Sequence, residues 1–294
     1  MEIFGIPIQA FMGQLLLGLV NGSFYAMLSL GLAVIFGLLG IVNFAHGALY
    51  MMGAYVAWLG AEYAGIGFWW SLLLAPLVVG AIGVVIERTL LKHLYKIDPI
   101  YGLLLTFGLA LIAEGVFRDQ FGVSGQQYPV PELLQGATNL GFMILPNYRG
   151  FVIFASLLVC LATWFVIERT RLGSYLRAGT ENPALVQAFG VNVPMMVMLT
   201  YGAGAGLAAL AGVLAAPIIQ ITPLMGSNLI IVVFAVVVIG GMGSILGSIL
   251  TGLVLGLVEG LTKVFYPEAS SIVVFVIMAI VLMIRPAGLF GKEK

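Results

Sequence analysis

Asn43 and His46 stand three residues apart inside an apolar surround. On a helix that spacing puts both side chains on one face. A neutral amide and a neutral imidazole offer donors and acceptors without fixed charge, which suits passage of a zwitterion or an uncharged solute. A buried imidazole bonded to a backbone carbonyl or to Asn43 would serve packing alone, and the sequence leaves both roles open. An ionised group held at mid-bilayer costs about 2.5–3.5 kcal/mol or more, so His46 is expected to be neutral. Asn21 is a weaker candidate for the same wall, because a lone Asn often bridges helices. Glu114 and Glu259 are the other main ionisable candidates within apolar runs. Each has a basic residue one turn on, Arg118 and Lys263, and an intrahelical pair accounts for it.

Enzyme chemistry has little to work with. The chain carries no Gly-x-x-x-x-Gly-Lys-Ser/Thr phosphate loop and no His-Glu-x-x-His. Nor does it show a nucleophile-elbow pattern. His46, His93 and the single Cys160 are too scattered for a metal site, and one cysteine forms no intrachain disulfide. Neither metal nor cofactor is expected in this chain.

The elements that position these residues are set by composition. Hydrophobic residues make up 62% of the 294 and charged residues 8%, against about 25% charged in ordinary globular domains. Zero net charge and scarce Lys and Arg argue against nucleic acid as a partner. Membrane lipid is the expected surround. Apolar runs near 10–37, 46–61, 69–91, 100–118, 150–168, 195–217, 228–246, 247–264 and 271–287 approach the roughly 20 residues a bilayer crossing needs. Runs such as Leu229 to Ile239 do not alternate, which excludes a barrel. The fold class is all-α: a polytopic membrane helical bundle of about 8–9 spans, forming one transmembrane domain over 1–294. The opening Met1-Glu2-Ile3-Phe4 lacks the basic lead of a cleaved signal, so the first run is expected to remain a membrane segment.

Basic residues set the orientation. Arg88, Lys92 and Lys96 share one loop, Arg169, Arg171 and Arg177 another, and Arg285, Lys292 and Lys294 close the chain. These become cytoplasmic together if the spans alternate, giving a multi-pass protein with a cytoplasmic C-terminus. The opposite side then receives Glu62, Asp119, Glu132 and Glu268, with an external loop over 119–149 that holds Pro129, Pro131 and Pro146. Two regions interrupt the apolar runs: Gly37 to Gly47, including Gly40, and Gly240 to Gly247, including Gly241 and Gly243. Broken or re-entrant segments are expected near 37–47 and 240–247, since glycine permits breaks and paired broken helices often mark a transporter's pathway. Close helix packing by small residues explains Gly252, Gly256 and Gly260 equally well.

A long polar island, 169–194, lies between apolar runs. Within it Glu181-Asn182-Pro183 reads as a helix opening. Ala184, Leu185, Ala188 and Phe189 follow with helical spacing and give one apolar face; Gly190 supplies a stop. A protein groove suits that face better than lipid headgroups, which so short a helix with one aromatic would bind weakly.

Asn43-Phe44-Ala45-His46-Gly47 with Tyr50-Met51-Met52-Gly53-Ala54-Tyr55, then Glu87-Arg88, the central island, Gly240-Gly241-Met242-Gly243-Ser244 and the ending Arg285-Pro286-Ala287-Gly288-Leu289-Phe290-Gly291 resemble branched-chain amino-acid ABC transporter permeases. The likeness covers nearly the whole chain and is greatest to the shorter of the two permease subunits. It implies a subunit of an ATP-driven importer in a bacterial inner membrane, working by alternating access with a second, paralogous permease subunit. Two cytoplasmic ATPase subunits and an external substrate-binding protein would complete the assembly. It also implies that Glu181 to Gly190 forms a coupling helix in an ATPase groove, with Arg177 contacting the ATPase or its own loop. Relatives in this group carry leucine, isoleucine and valine, but also urea, short amides and aromatic or dicarboxylic acids. An autonomous channel or secondary transporter of a small neutral solute is the rival reading; it leaves the island without a purpose.

Overall fold

Backbone groups that cannot reach water must pair within their own segment, and long apolar runs do so as helices. The computed structural model describes residues 2–3, 6–40, 42–95, 97–141 and 143–291. Met1, Phe4, Ile41, Lys96, Lys292 and Lys294, used in the reading above, lie outside the described residues. The apolar helices are α1 (Ile8–Leu39), α2 (Ala45–Ala64), α3 (Phe68–Thr89), α4 (Pro99–Phe121) and α5 (Asn147–Arg169). After two loop helices, α6 (Arg171–Glu181) and α7 (Pro183–Ala188), come α8 (Val193–Ala215), α9 (Met225–Gly240), α10 (Ile245–Phe265) and α11 (Val273–Ile284). Three short 3-10 helices (Leu91–His93, Glu132–Leu134 and Pro267–Ala269) and two small antiparallel strand pairs, β1 (Glu2–Ile3) with β2 (Ile6–Pro7) and β3 (Ala137–Asn139) with β4 (Ile144–Pro146), complete the described elements.

Six helices are long and apolar enough to cross a membrane among the described residues: α1, α3, α4, α5, α8 and α10. The apolar helices α9 and α11 are shorter, and α2 has the length but is less apolar. The protein is a multi-pass membrane helical bundle. Most of α1 and α8 is buried, whereas α3, α4 and α5 expose most of their surface.

Small residues bring the central helices into backbone contact. A Cβ added at Gly18 would stand 2.6 Å from the Gly256 carbonyl oxygen, one at Gly252 2.6 Å from the Ala26 nitrogen, and one at Gly260 2.5 Å from the Gln14 oxygen. The pairing runs antiparallel, with Gly18, Gly22 and Ala26 of α1 against Gly260, Gly256 and Gly252 of α10. Those glycines are packing residues. Gly80 of α3 meets Gly202 of α8 in the same manner, at 3.1 Å.

Both expected interruptions are real ends of helices. Gly40 closes α1 at φ 66°, and α2 begins five residues later. Gly47 is not part of that break: it lies in the first turn of α2, where a Cβ would stand 2.7 Å from the Gly226 oxygen of α9. The second interruption, 241–244, turns α9 into α10 with Gly241 at φ 99° and Gly243 at φ 87°, backbone that residues with a Cβ rarely adopt. Ser244 caps α10 by accepting from Gly247 N at 3.1 Å. Gly240, the last residue of α9, packs against Gly247. The two interruptions touch, since a Cβ at Gly37 would lie 2.7 Å from the Gly243 Cα.

The chain's last described segment returns to this corner. Leu289 N donates to Ile239 O at 2.8 Å and Phe290 N to Gly240 O at 3.2 Å, satisfying carbonyls that the end of α9 leaves free. At the opposite end of the bundle Gln126 and Ile221 exchange two backbone hydrogen bonds of 2.9 Å, and Tyr148 Oη donates to Leu214 O at 3.0 Å. These contacts hold the 119–149 loop over the ends of α5 and α8.

The α1–α10 seam predicts that Gly256→Val destabilises the detergent-purified chain by about 3 kcal/mol, through overpacking against backbone. Gly108→Ala on α4, where a Cβ meets nothing within 4 Å, gains about 0.5–1 kcal/mol. Thermal unfolding of the two variants checks this; equal stability for Gly256→Val and the parent contradicts it.

Candidate functional site

The interruption between α1 and α2 leaves backbone polar groups inside the bundle, where each needs a partner. Phe44 N donates to Thr106 Oγ1 of α4 at 3.1 Å, and Ala45 N donates to Asn43 Oδ1 at 3.1 Å. The Thr106 hydroxyl lies 3.3 Å from Val42 O and 3.0 Å from Leu103 O, both of which can accept its proton. Asn43 therefore caps α2 with its oxygen, and its Nδ2 donates to Tyr201 Oη of α8 at 3.0 Å. His46 Nε2 lies 3.1 Å from Leu28 O of α1, so the tautomer protonated at Nε2 donates there. Asn43, His46 and Thr106 are all buried.

This arrangement sets α2 deep. Leu28 precedes the last residue of α1 by 11 positions, which at 1.5 Å per residue puts the first turn of α2 about 16 Å inside the bundle. The first turn of α9 meets it there through Gly226. The structure thus brings Asn43 and His46 to one place and surrounds them with α1, α4 and α8. Asn21 is half-buried on α1, seven residues before Leu28 and so on the same helical stripe.

Two members of this brace, Tyr201 and Thr106, lie outside the residues singled out from sequence. Tyr201 and Thr106 are polar side chains within apolar spans, and that signal was available. Glu87, which in sequence enters only through the Glu87-Arg88 pair of the family resemblance, is 4% exposed and accepts from Tyr95 Oη at 2.8 Å. Burial first, and then the Glu87 carboxylate, push the Tyr95 phenol well above its ordinary range, so it stays a donor. The other carboxylates differ from each other. Glu259 accepts from Lys263 at 2.5 Å and from Tyr25 Oη at 2.6 Å. Glu114 makes no ion pair with Arg118 among the described residues, and the expected intrahelical pair is not formed.

The polar island folds as two helices where the sequence suggested one. Glu181 is the last residue of α6, not the opening of the next helix. Asn182 is the cap of α7, accepting from Leu185 N at 3.0 Å, with Pro183 in the first turn. Gly190 ends the turn at φ 82°. Ala184, Ala188, Leu185 and Phe189 are exposed, the last two by 54% and 78%. Arg177 reaches back to the end of α5, with Nη1 3.2 Å from Ile167 O and 3.4 Å from Glu168 Oε2. Asn192 then caps α8 through Met195 N at 3.1 Å, so α7 is joined to the helix that carries Tyr201.

A multi-pass bundle with a neutral polar interior and solvent-facing loop helices has the makings of a transport protein. The family described as branched-chain amino acid transport system, permease component, matches residues 14–282, and the chain belongs to it. It is a membrane permease component of a transport system and not an enzyme. The high-affinity branched-chain amino acid transport system permease protein BraD of Pseudomonas aeruginosa is 30% identical over 302 residues, covering 98% of each chain. LivH of Escherichia coli K12, a permease protein of the same description, is 29% identical over 300 residues, covering 97% of this chain and 96% of the relative. The corresponding LivM of Salmonella typhimurium is 27% identical over 297 residues, covering 92% of this chain and 68% of that one. No solved structure matches the chain.

Losing the Tyr95 hydroxyl leaves the buried Glu87 carboxylate without its described donor. Tyr95→Phe is expected to cost about 1.5–3 kcal/mol, as hydrogen bonds to charged groups do. Glu87→Gln in the same background should recover part of it. Chemical-denaturant or thermal melts of the single and double variants test this, and additive losses would contradict a direct pair.

Proposed function

We propose that the chain is the permease subunit of an ATP-driven importer for branched-chain amino acids, paired with a second, related permease in a bacterial inner membrane. The observation that carries this reading is membership of the permease family over 14–282, joined to the exposed apolar face of α7. LivH and LivM are two distinct permease proteins that both resemble this chain, which supports a paralogous heterodimer. Two cytoplasmic ATPase subunits would receive α7 in their grooves, and an external binding protein would deliver the solute over the 119–149 loop.

Orientation follows from the positive-inside rule. Arg88 and Arg169 lie in the last turns of α3 and α5, Arg171 opens α6 and Arg285 follows α11, and the rule puts these helix ends on the cytoplasmic side. With nine apolar helices counted as crossings, the N-terminus is external and the C-terminus cytoplasmic.

In the proposed cycle the ATPases move α7, α8 carries the displacement to Tyr201 and Asn43, and the bundle opens to one side and then the other. Asn43, His46 and, more weakly, Asn21 brace the wall of the route. Neutral groups suit a zwitterion handed over by a binding protein, because a tight site inside the membrane would slow release.

Charge placed on α7 tests the coupling. In a reconstituted assembly Ala184→Glu or Ala188→Glu should lower ATP-driven leucine uptake at least about ten-fold while the chain still inserts. Full uptake together with full ATPase copurification would refute the assignment. Solute flux through the pure single chain without ATP would favour an autonomous channel.

A further inference from the structure

A groove of about 730 Å³ opens between α3, α5, α6 and α8, outside the brace and away from α7. Its walls are almost wholly apolar, among them Leu77 and Val84 of α3, Val166 of α5, Leu172 of α6, and Leu199 and Ala203 of α8. Along α8 it runs from Met196 to Leu210, which at 1.5 Å per residue is about 21 Å. That exceeds half of a hydrocarbon core about 30 Å thick, the depth of a single leaflet.

Three arginines flank one end of the groove's lining in sequence. Arg88 lies one turn beyond Val84 on α3, Arg169 three residues beyond Val166 on α5, and Arg171 directly before Leu172 on α6. None of the three forms an ion pair among the described residues. Arg169 lies over the Trp164 ring at 5.6 Å, which orders its stem without neutralising its charge. Arg177, by contrast, is engaged by Glu168.

We propose that this groove is a binding site for one anionic phospholipid of the cytoplasmic leaflet. An acyl chain lies along α8 between α3 and α5, and the phosphodiester faces Arg88, Arg169 and Arg171. Charge complementarity selects this occupant: basic pockets between membrane helices on the cytoplasmic side hold anionic headgroups. An apolar helix of another subunit would fill the groove but leave the arginines without a counter-charge. The site sits against α6, so its lipid would stiffen the helix that leads into α7, an effect on coupling that rests on the proposed function of α7.

The test uses the purified transporter assembly in native mass spectrometry, with phosphatidylglycerol or phosphatidylcholine of identical acyl chains. Phosphatidylglycerol should be retained preferentially. Changing Arg88, Arg169 and Arg171 to Gln should erase that preference, by about five-fold per arginine. Ala203→Trp, which fills the groove from an exposed position, should lower retention of both lipids. Equal retention of the two lipids by the parent, or no effect of Ala203→Trp, would overturn the proposal. A disulfide formed between a cysteine at 203 and the second permease would also overturn it, by giving the groove to protein. None of these outcomes depends on which solute is carried.

Discussion

Lipid removes the force that folds soluble proteins. Between helices in a bilayer the hydrophobic effect contributes little, and association rests on close van der Waals packing and interhelical hydrogen bonds. The antiparallel seam of Gly18, Gly22 and Ala26 against Gly260, Gly256 and Gly252 is therefore the contact on which this bundle depends. It sets α1 and α10 at backbone distance, and α1 in turn carries the carbonyl of Leu28 to His46. The outer helices α3, α4 and α5 need no such seam on their lipid faces, and there they display large apolar side chains.

A second constraint follows from the first. A chain that breaks inside the bundle must find partners for the groups it frees. The break after α1 meets this with its own Asn43 and with side chains from two neighbouring helices, Thr106 of α4 and Tyr201 of α8. The break after α9 meets it with backbone, through the returning segment at Leu289 and Phe290. One interruption is thus built from neutral side chains in the interior, and the other is closed by the chain's own end. Gly37 and Gly243 join them. Because α8 runs from the cap at Asn192 to Tyr201, a single helix links the polar loop to the first of these breaks.

Much of this was legible in the sequence. The apolar runs are helical over most of their length, since long apolar segments have no other stable state in lipid. The run 228–246 is broken at 241–244, however, and six helices rather than eight or nine have the length and apolarity of a span among the described residues. The glycine clusters located both breaks, because few residues other than glycine adopt the conformations of Gly241 and Gly243. Gly47 was misplaced: a glycine in a first turn reads in sequence like one in a break, and only its contact with Gly226 separates the two. The division of the island into α6 and α7 was hidden for a related reason. Glu181 fits the end of one helix as well as the start of another, and the side chain of Asn182 decides between them. Tyr201 could not be assembled from spacing, because its partner Asn43 stands 158 residues away. Tyr95 is only eight residues from Glu87, but the turn between them follows no helical period that would pair the two.

The claim at the centre of this account is that the brace at Asn43 and His46 belongs to the moving wall of a transport route. Thiol accessibility tests it most directly. Cysteine would be placed singly at 43 and 46 in a Cys160→Ser background, within the reconstituted assembly. Labelling by a small thiol reagent would then be followed with and without ATP. Reactivity at one or both positions should change with nucleotide state, and uptake should fall. Cysteines unreactive in every state, with uptake at the parent level, would make Asn43 and His46 packing residues and put the route elsewhere.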